Sequence, residues 1–169
     1  MTNLAIVLIL IISVITDLRN RKILNIITLP AILIALIYHS FTSGLSGFYF
    51  SGQGLLVGLG LLLIPFVMGG IGAGDVKLLA AIGAWKGTLF VLYTGVYGAI
   101  IGGIIALIIL LRQRRLVFTL KQMLFSIRFL KSATGSLLME DETQKSISIP
   151  YAIPIVAGAL LVYLMEAYV

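Results

Sequence analysis

Asp17 and Asp75 are the only two carboxylate side chains in the first 139 residues of this 169-residue chain, and each sits where an apolar run meets basic residues. Two isolated acids in such surroundings form a candidate catalytic pair. A carboxylate at the edge of hydrocarbon is expensive to keep, so it marks a functional site by default. A dyad sharing one proton has an assignable chemistry. The ionised member takes a proton from a water that attacks a peptide carbonyl, and the protonated member donates to the carbonyl oxygen. That route requires no metal, no cofactor and no covalent intermediate, and none is expected here. The competing reading makes each acid an ion-pair partner, Asp17 of Arg21 or Asp75 of a distant arginine, or a helix cap.

The setting of Asp75 bears on that choice. It ends the run Gly69-Gly70-Ile71-Gly72-Ala73-Gly74-Asp75, followed by Val76 and Lys77. Repeated glycines open backbone geometries closed to other residues and let another chain approach closely, which a substrate peptide needs. The plainer alternative is a turn before a helix with Asp75 as its N-cap. The missing Gly-Lys-Ser/Thr ending and the acid itself argue against a phosphate-cradling loop.

The elements that must position these residues follow from composition. With 60% hydrophobic and 11% charged residues, the chain lies far outside the range of soluble domains. The fold class expected is all-α, a polytopic membrane protein of about six transmembrane helices in a single domain over residues 1–169. Zero cysteines exclude disulfides, thiolate nucleophiles and Cys-based metal sites. The apolar run 4–15 has its basic residues after it rather than before it, so it reads as a retained first span, not a cleaved signal. Further spans are expected at 23–38, 54–68 and 149–168. The stretch 76–111 would make a single helix of roughly 54 Å, against a hydrocarbon core of roughly 30 Å. It must break, and Trp85-Lys86-Gly87 combines an interfacial aromatic, a snorkelling cation and a flexible residue. A short fourth span over 76–84 and a long fifth span result.

Basic residues orient the bundle. With the N-terminus outside, every lysine and arginine except Lys86 falls on the cytoplasmic side. The net charge of +6 is then explained by orientation and contact with the anionic lipid bilayer, and no nucleic-acid partner is expected despite Phe118, Phe125 and Phe129 among the basic residues. Residues 112–131 carry apolar positions at helical spacing, with Arg114, Lys121 and Arg128 on another face, the pattern of an amphipathic helix on the cytoplasmic surface. Residues 132–148 read as a cytoplasmic loop. Both aspartates therefore share the cytoplasmic face, and the shortness of the fourth span would recess Asp75 below the lipid surface.

Other residues carry weaker signals. Arg19 and Lys77 suit positioning of a carboxylate or a substrate, although positive-inside placement alone explains both. Asn25 suits either capping of the second span or a hydrogen bond to substrate. The single histidine, His39, falls at the outer end of the second span, too far to serve the aspartates as a base. Gly95, Gly98, Gly102 and Gly103 read as small-residue packing on the fifth span.

Gly72-Ala73-Gly74-Asp75 matches the Gly-x-Gly-Asp motif of a class of membrane aspartyl proteases, and Val76-Lys77-Leu78 extends it as in the type IV prepilin peptidases. Asp17-Leu18-Arg19, followed by Ile23 and Asn25, resembles that family's first aspartate motif, and Ile149-Pro150-Tyr151-Ala152-Ile153-Pro154 is similar to the Pro-rich start of its last helix. The matches occur in the family's order over nearly the whole chain. Leu24 stands where the family usually has proline, so the turn leading to Asn25 differs. The resemblance implies an aspartic endopeptidase that removes a basic leader from pilin-like precursors, with Asp17 and Asp75 catalytic and Gly72, Gly74, Arg19, Asn25 and Lys77 in supporting positions. It is closest in form to compact members serving tight-adherence pili or archaeal preflagellins. Lacking the Cys-containing segment of the larger members, it implies peptidase activity without methyltransferase activity.

Two other classes compete. A small ion- or proton-coupled transporter would use Asp17 and Asp75 as relays, but both lie at one face and no internal repeat is present. A scaffold subunit would pair the aspartates with a partner's cations. Loss of cleavage, of flux or of assembly in Asp-to-Asn variants separates the three.

Overall fold

The structure, a computed structural model, describes residues 2–20, 23–68, 70–112 and 151–168. Among these residues there are helices and short connections and no strands, as the sequence predicts. The helices are α1 (Thr2–Asn20), α2 (Asn25–Val67), α3 (Ala73–Lys86), α4 (Thr88–Arg112) and α5 (Ala152–Tyr168). The expected surface helix over 112–131, apart from Arg112, and the expected loop over 132–148 lie outside the described residues. Residues 1–102 and 150–169 form one compact unit, and residues 103–149 form a second, of which the described part is the end of α4.

Three helices among the described residues are long and apolar enough to cross a membrane, with windows Thr2–Arg19, Asn25–Val67 and Thr88–Ile109. In hydrocarbon every backbone polar group must find its partner within the protein, which a helix does internally. The 43-residue α2 is not one rod, because Gly44 has φ 61° and ψ −140° and divides it into arms 25–43 and 45–67. Contacts with α3 give the arms their directions. Lys77 meets Asn25 and Trp85 meets Ala31, so the first arm runs parallel to α3. Leu79 lies against Gly58, Gly83 against Gly54 and Gly87 against Phe50, so the second arm runs antiparallel. α2 is therefore a helical hairpin with α3 packed along both arms.

The hairpin corrects one boundary. The sequence suggests a gap between 38 and 54, yet both arms extend through it to the reversal at Gly44. Hydroxyls in that gap bond back along the helix, Ser40 to the Leu36 carbonyl at 2.7 Å and Thr42 to the Tyr38 carbonyl at 3.0 Å. Such bonds let serine and threonine stay in a helix that polarity alone would end.

The expected break in 76–111 is where α3 ends at Lys86 and α4 begins at Thr88, across Gly87 with φ 83°. Trp85 behaves differently from the interfacial aromatic expected of it. It is buried, and its indole N–H donates to the Ala31 carbonyl at 3.0 Å. Lys86 is likewise engaged, 2.7 Å from the Glu166 carboxylate on α5 and facing the rings of Phe90 and Tyr163. His39 packs there too, with Nε2 3.2 Å from the Trp85 carbonyl, at the opposite end of α3 from Asp75.

α3 has 14 residues, about 21 Å at 1.5 Å per residue, so it is shorter than the hydrocarbon core. Its side chains from Leu78 to Trp85 are all buried, the pattern of a helix enclosed by protein on every side. In its first turn Asp75 is buried as well, while Ala73 beside it is exposed. On α4, Gly98 and Gly102 face Pro154 and Tyr151 of the α5 start, and Gly95 faces Leu61, while Gly103 meets no neighbour within 4 Å among the described residues.

Candidate active site

Asp17 lies in the last turn of α1 and Asp75 in the first turn of α3, and both are buried, 5% and 8% exposed. They line one cavity of about 450 Å³ together with Ile23, Asn25, Gly72, Ala73, Gly74 and Lys77. Four of the five supporting residues read from the sequence are in that lining. Arg19, the fifth, is exposed and not part of it.

Asp75 is held by its own helix start. Gly72 is the N-cap residue of α3, with extended backbone, and its N–H donates to Asp75 Oδ2 at 3.2 Å. Asp75 is therefore not the N-cap, the plainer role open to it in the sequence. It is the third helical residue, reaching back to the cap, where a carboxylate complements the N-terminal end of the helix dipole. Asp75 is buried in the same cavity as Asp17. Two carboxylates this close in a desolvated site favour a shared proton over two charges.

Among the described residues neither aspartate has a cation within ion-pair distance, the one salt bridge being Lys86–Glu166 at the other end of the bundle. Arg21 lies outside the described residues. Lys77 reaches across the cavity to Asn25 instead, Nζ to Oδ1 at 2.8 Å, and ties α3 to the start of α2. Asn25 is the first residue of α2 and does not cap it, since the N-cap is Leu24.

The glycines have a more specific task than chain flexibility. Among the described glycines only Gly44 and Gly87 have positive φ, so Gly72 and Gly74 adopt backbone open to any residue. Gly74 is required by proximity: a β-carbon there would lie 2.9 Å from the Ile23 β-carbon and 3.1 Å from its carbonyl oxygen. The close approach is to the chain's own residue 23. Gly74→Ala is accordingly expected to push the α3 start from the α2 start and lower the rate of any reaction run by the pair by about tenfold to 10²-fold, the scale of an ångström-sized misplacement. Turnover with the protein level held equal checks this, and an unchanged rate would show that the approach is dispensable.

One partner was not visible in the sequence. Asp17 Oδ2 accepts a hydrogen bond from the backbone N–H of Ala152 at 3.2 Å, across 135 positions of sequence. The Pro-rich stretch around Tyr151 marked a helix start, but a backbone donor leaves no trace in residue type. Among the described residues no cluster of three or more His, Asp or Glu side chains converges on one point. The arrangement that remains is two buried carboxylates sharing a cavity, able to activate a water and protonate a carbonyl.

A model of the type IV leader peptidase family matches residues 4–107, more than half of the chain and inclusive of both aspartates. The chain belongs to the type IV leader peptidase family. Neither the curated proteins nor the solved structures gave a match. Family membership makes the chain a leader peptidase at the family level, and its apolar helices mark it as a membrane protein. The family match ends before α5, so Ala152 lies beyond the residues it covers.

Proposed function

We propose that this protein is a membrane aspartic endopeptidase that removes the basic leader from type IV pilin-like precursors, with Asp17 and Asp75 as the catalytic pair. The observation that carries the proposal is the shared cavity: the only two acids in the first 139 residues come from separate helices to line it. The ionised carboxylate takes a proton from a water whose oxygen adds to the scissile carbonyl carbon, while the other carboxyl gives its proton to the carbonyl oxygen. As the tetrahedral intermediate collapses, the carboxylate now ionised takes the proton of one hydroxyl while the C–N bond breaks, and the other carboxyl gives its proton to the leaving amine. Each half-reaction restores one shared proton. The distribution of lysine and arginine supports a cytoplasmic site in the inner membrane, where a basic leader would remain after its hydrophobic helix inserts. The whole chain is proposed as one peptidase domain. Zero cysteines support cleavage without methylation of the new N-terminus.

The test reconstitutes the protein in liposomes with a precursor carrying a basic leader before a hydrophobic helix, with S-adenosylmethionine present. Mass spectrometry is expected to show one cut on the leader side of the helix and a product of unmodified mass. An intact precursor would overturn the peptidase proposal, and a product heavier by one methyl group would overturn the limit to cleavage.

A further inference from the structure

Asp17 stands in the last turn of α1, where the helix presents carbonyl groups and its own N–H groups are already bonded. Nothing in α1 at that end can hold a carboxylate in one orientation. The start of α5 has the opposite character, because the first N–H groups of a helix lack intrahelical partners. The Ile155 N–H bonds to the Tyr151 carbonyl at 3.4 Å, which makes Tyr151 the cap position and Ala152 the first helical residue. Its N–H is one of those free donors. It points at Asp17 Oδ2 at 3.2 Å, and both residues are buried.

We propose that the backbone N–H of Ala152 is a positioning donor of the active centre, fixing the Asp17 carboxylate through Oδ2 so that Oδ1 serves the cavity. The proposal rests on the reading of Asp17 as catalytic. It extends the centre to α5, outside the residues that the family match covers. The benefit is mutual, since Asp17 satisfies a helix donor that would otherwise be stranded in a water-poor bundle. A carboxylate free to rotate about its χ angles would present its oxygen to the reacting water only part of the time. Orientation of this kind acts on the chemical step rather than on the binding of a leader peptide.

The first helical position tolerates proline, whose missing N–H the helix does not need there, so Ala152→Pro deletes the donor with little cost to α5 itself. Because Ala152 is fully buried and the ring needs room, a second variant replaces Ala152 with lactic acid by nonsense suppression, turning the amide into an ester of nearly the same shape. The same ester chemistry at Ile153 is the control, since that N–H also belongs to the first turn and does not meet Asp17. Single-site kinetics on the reconstituted full chain are expected to show kcat lowered by about tenfold to 10²-fold in the residue-152 ester, with KM unchanged. The residue-153 ester is expected to keep the wild-type kcat. A residue-152 ester that cleaves as fast as wild type overturns the donor role, as does an equal loss from both esters or a change confined to KM. A wild-type chain that leaves the precursor whole overturns the peptidase reading itself, so the two failures are distinguishable.

Discussion

Asp17→Asn and Asp75→Asn are each expected to lower leader cleavage by roughly 10²- to 10⁴-fold, the range for a positioned acid or base, and the double variant by little more than either single one. The pair works through one shared proton, so removing one carboxyl leaves the other with no partner to exchange it with. The losses must then fail to multiply. Unfolding offers no alternative explanation. An asparagine oxygen still accepts from the Gly72 N–H at position 75 and from the Ala152 N–H at position 17, so both helix starts keep their partners. Burying a neutral amide also avoids the desolvation that an ionised carboxylate meets. The variants are therefore expected to melt at or above the wild-type temperature. Single-turnover cleavage in liposomes, with accumulation checked by immunoblot, measures the cycle. Full cleavage in Asp75→Asn would sink the mechanism, and cleanly multiplying losses would mean that the two acids act in separate steps.

The features legible in the sequence were those that length and charge dictate. An apolar stretch too long for one span had to break, and Gly87 is where it does. The distribution of basic residues put Asp17 and Asp75 at one face, and the structure places them in one cavity. What stayed hidden was set by contacts between distant segments. The Gly44 reversal lies among serines and threonines that bond back into their helix, so polarity gave a boundary in the wrong place. Trp85 has the composition of an interfacial residue, and only its 3.0 Å bond to the Ala31 carbonyl shows why it is buried. The repeated glycines suggest room for a substrate, whereas the space that Gly74 frees is filled by Ile23. The Ala152 donor belongs to the backbone, which residue types do not report.

The place of Asp75 in the bundle depends on how closely α3 can lie against the second arm of α2, and that interface has no side chain at its centre. A β-carbon built on Gly54 would collide with the Gly83 carbonyl, one on Gly83 would collide with the Gly54 carbonyl, and Gly58 meets the Leu79–Ala80 backbone in the same way. Between lipid-solvated helices little hydrophobic force is available, so such backbone approach supplies the packing that holds them. It also brings Ser51 within 2.8 Å of the Ala84 carbonyl, a buried hydrogen bond that lapses if the helices part. Gly83→Leu is therefore expected to destabilise the bundle by about 1–3 kcal/mol or more, since the obstructing atoms are backbone and cannot turn aside. Because α3 carries Asp75, cleavage should fall with it. Gly60→Ala is the matched control: it lies on the same arm, and a β-carbon there meets nothing within 4 Å. Thermal denaturation in detergent and turnover in liposomes should both drop for Gly83→Leu and hold for Gly60→Ala. A Gly83→Leu protein with wild-type melting and turnover would show that this contact does not set the place of α3, and the burial of Asp75 would need another cause.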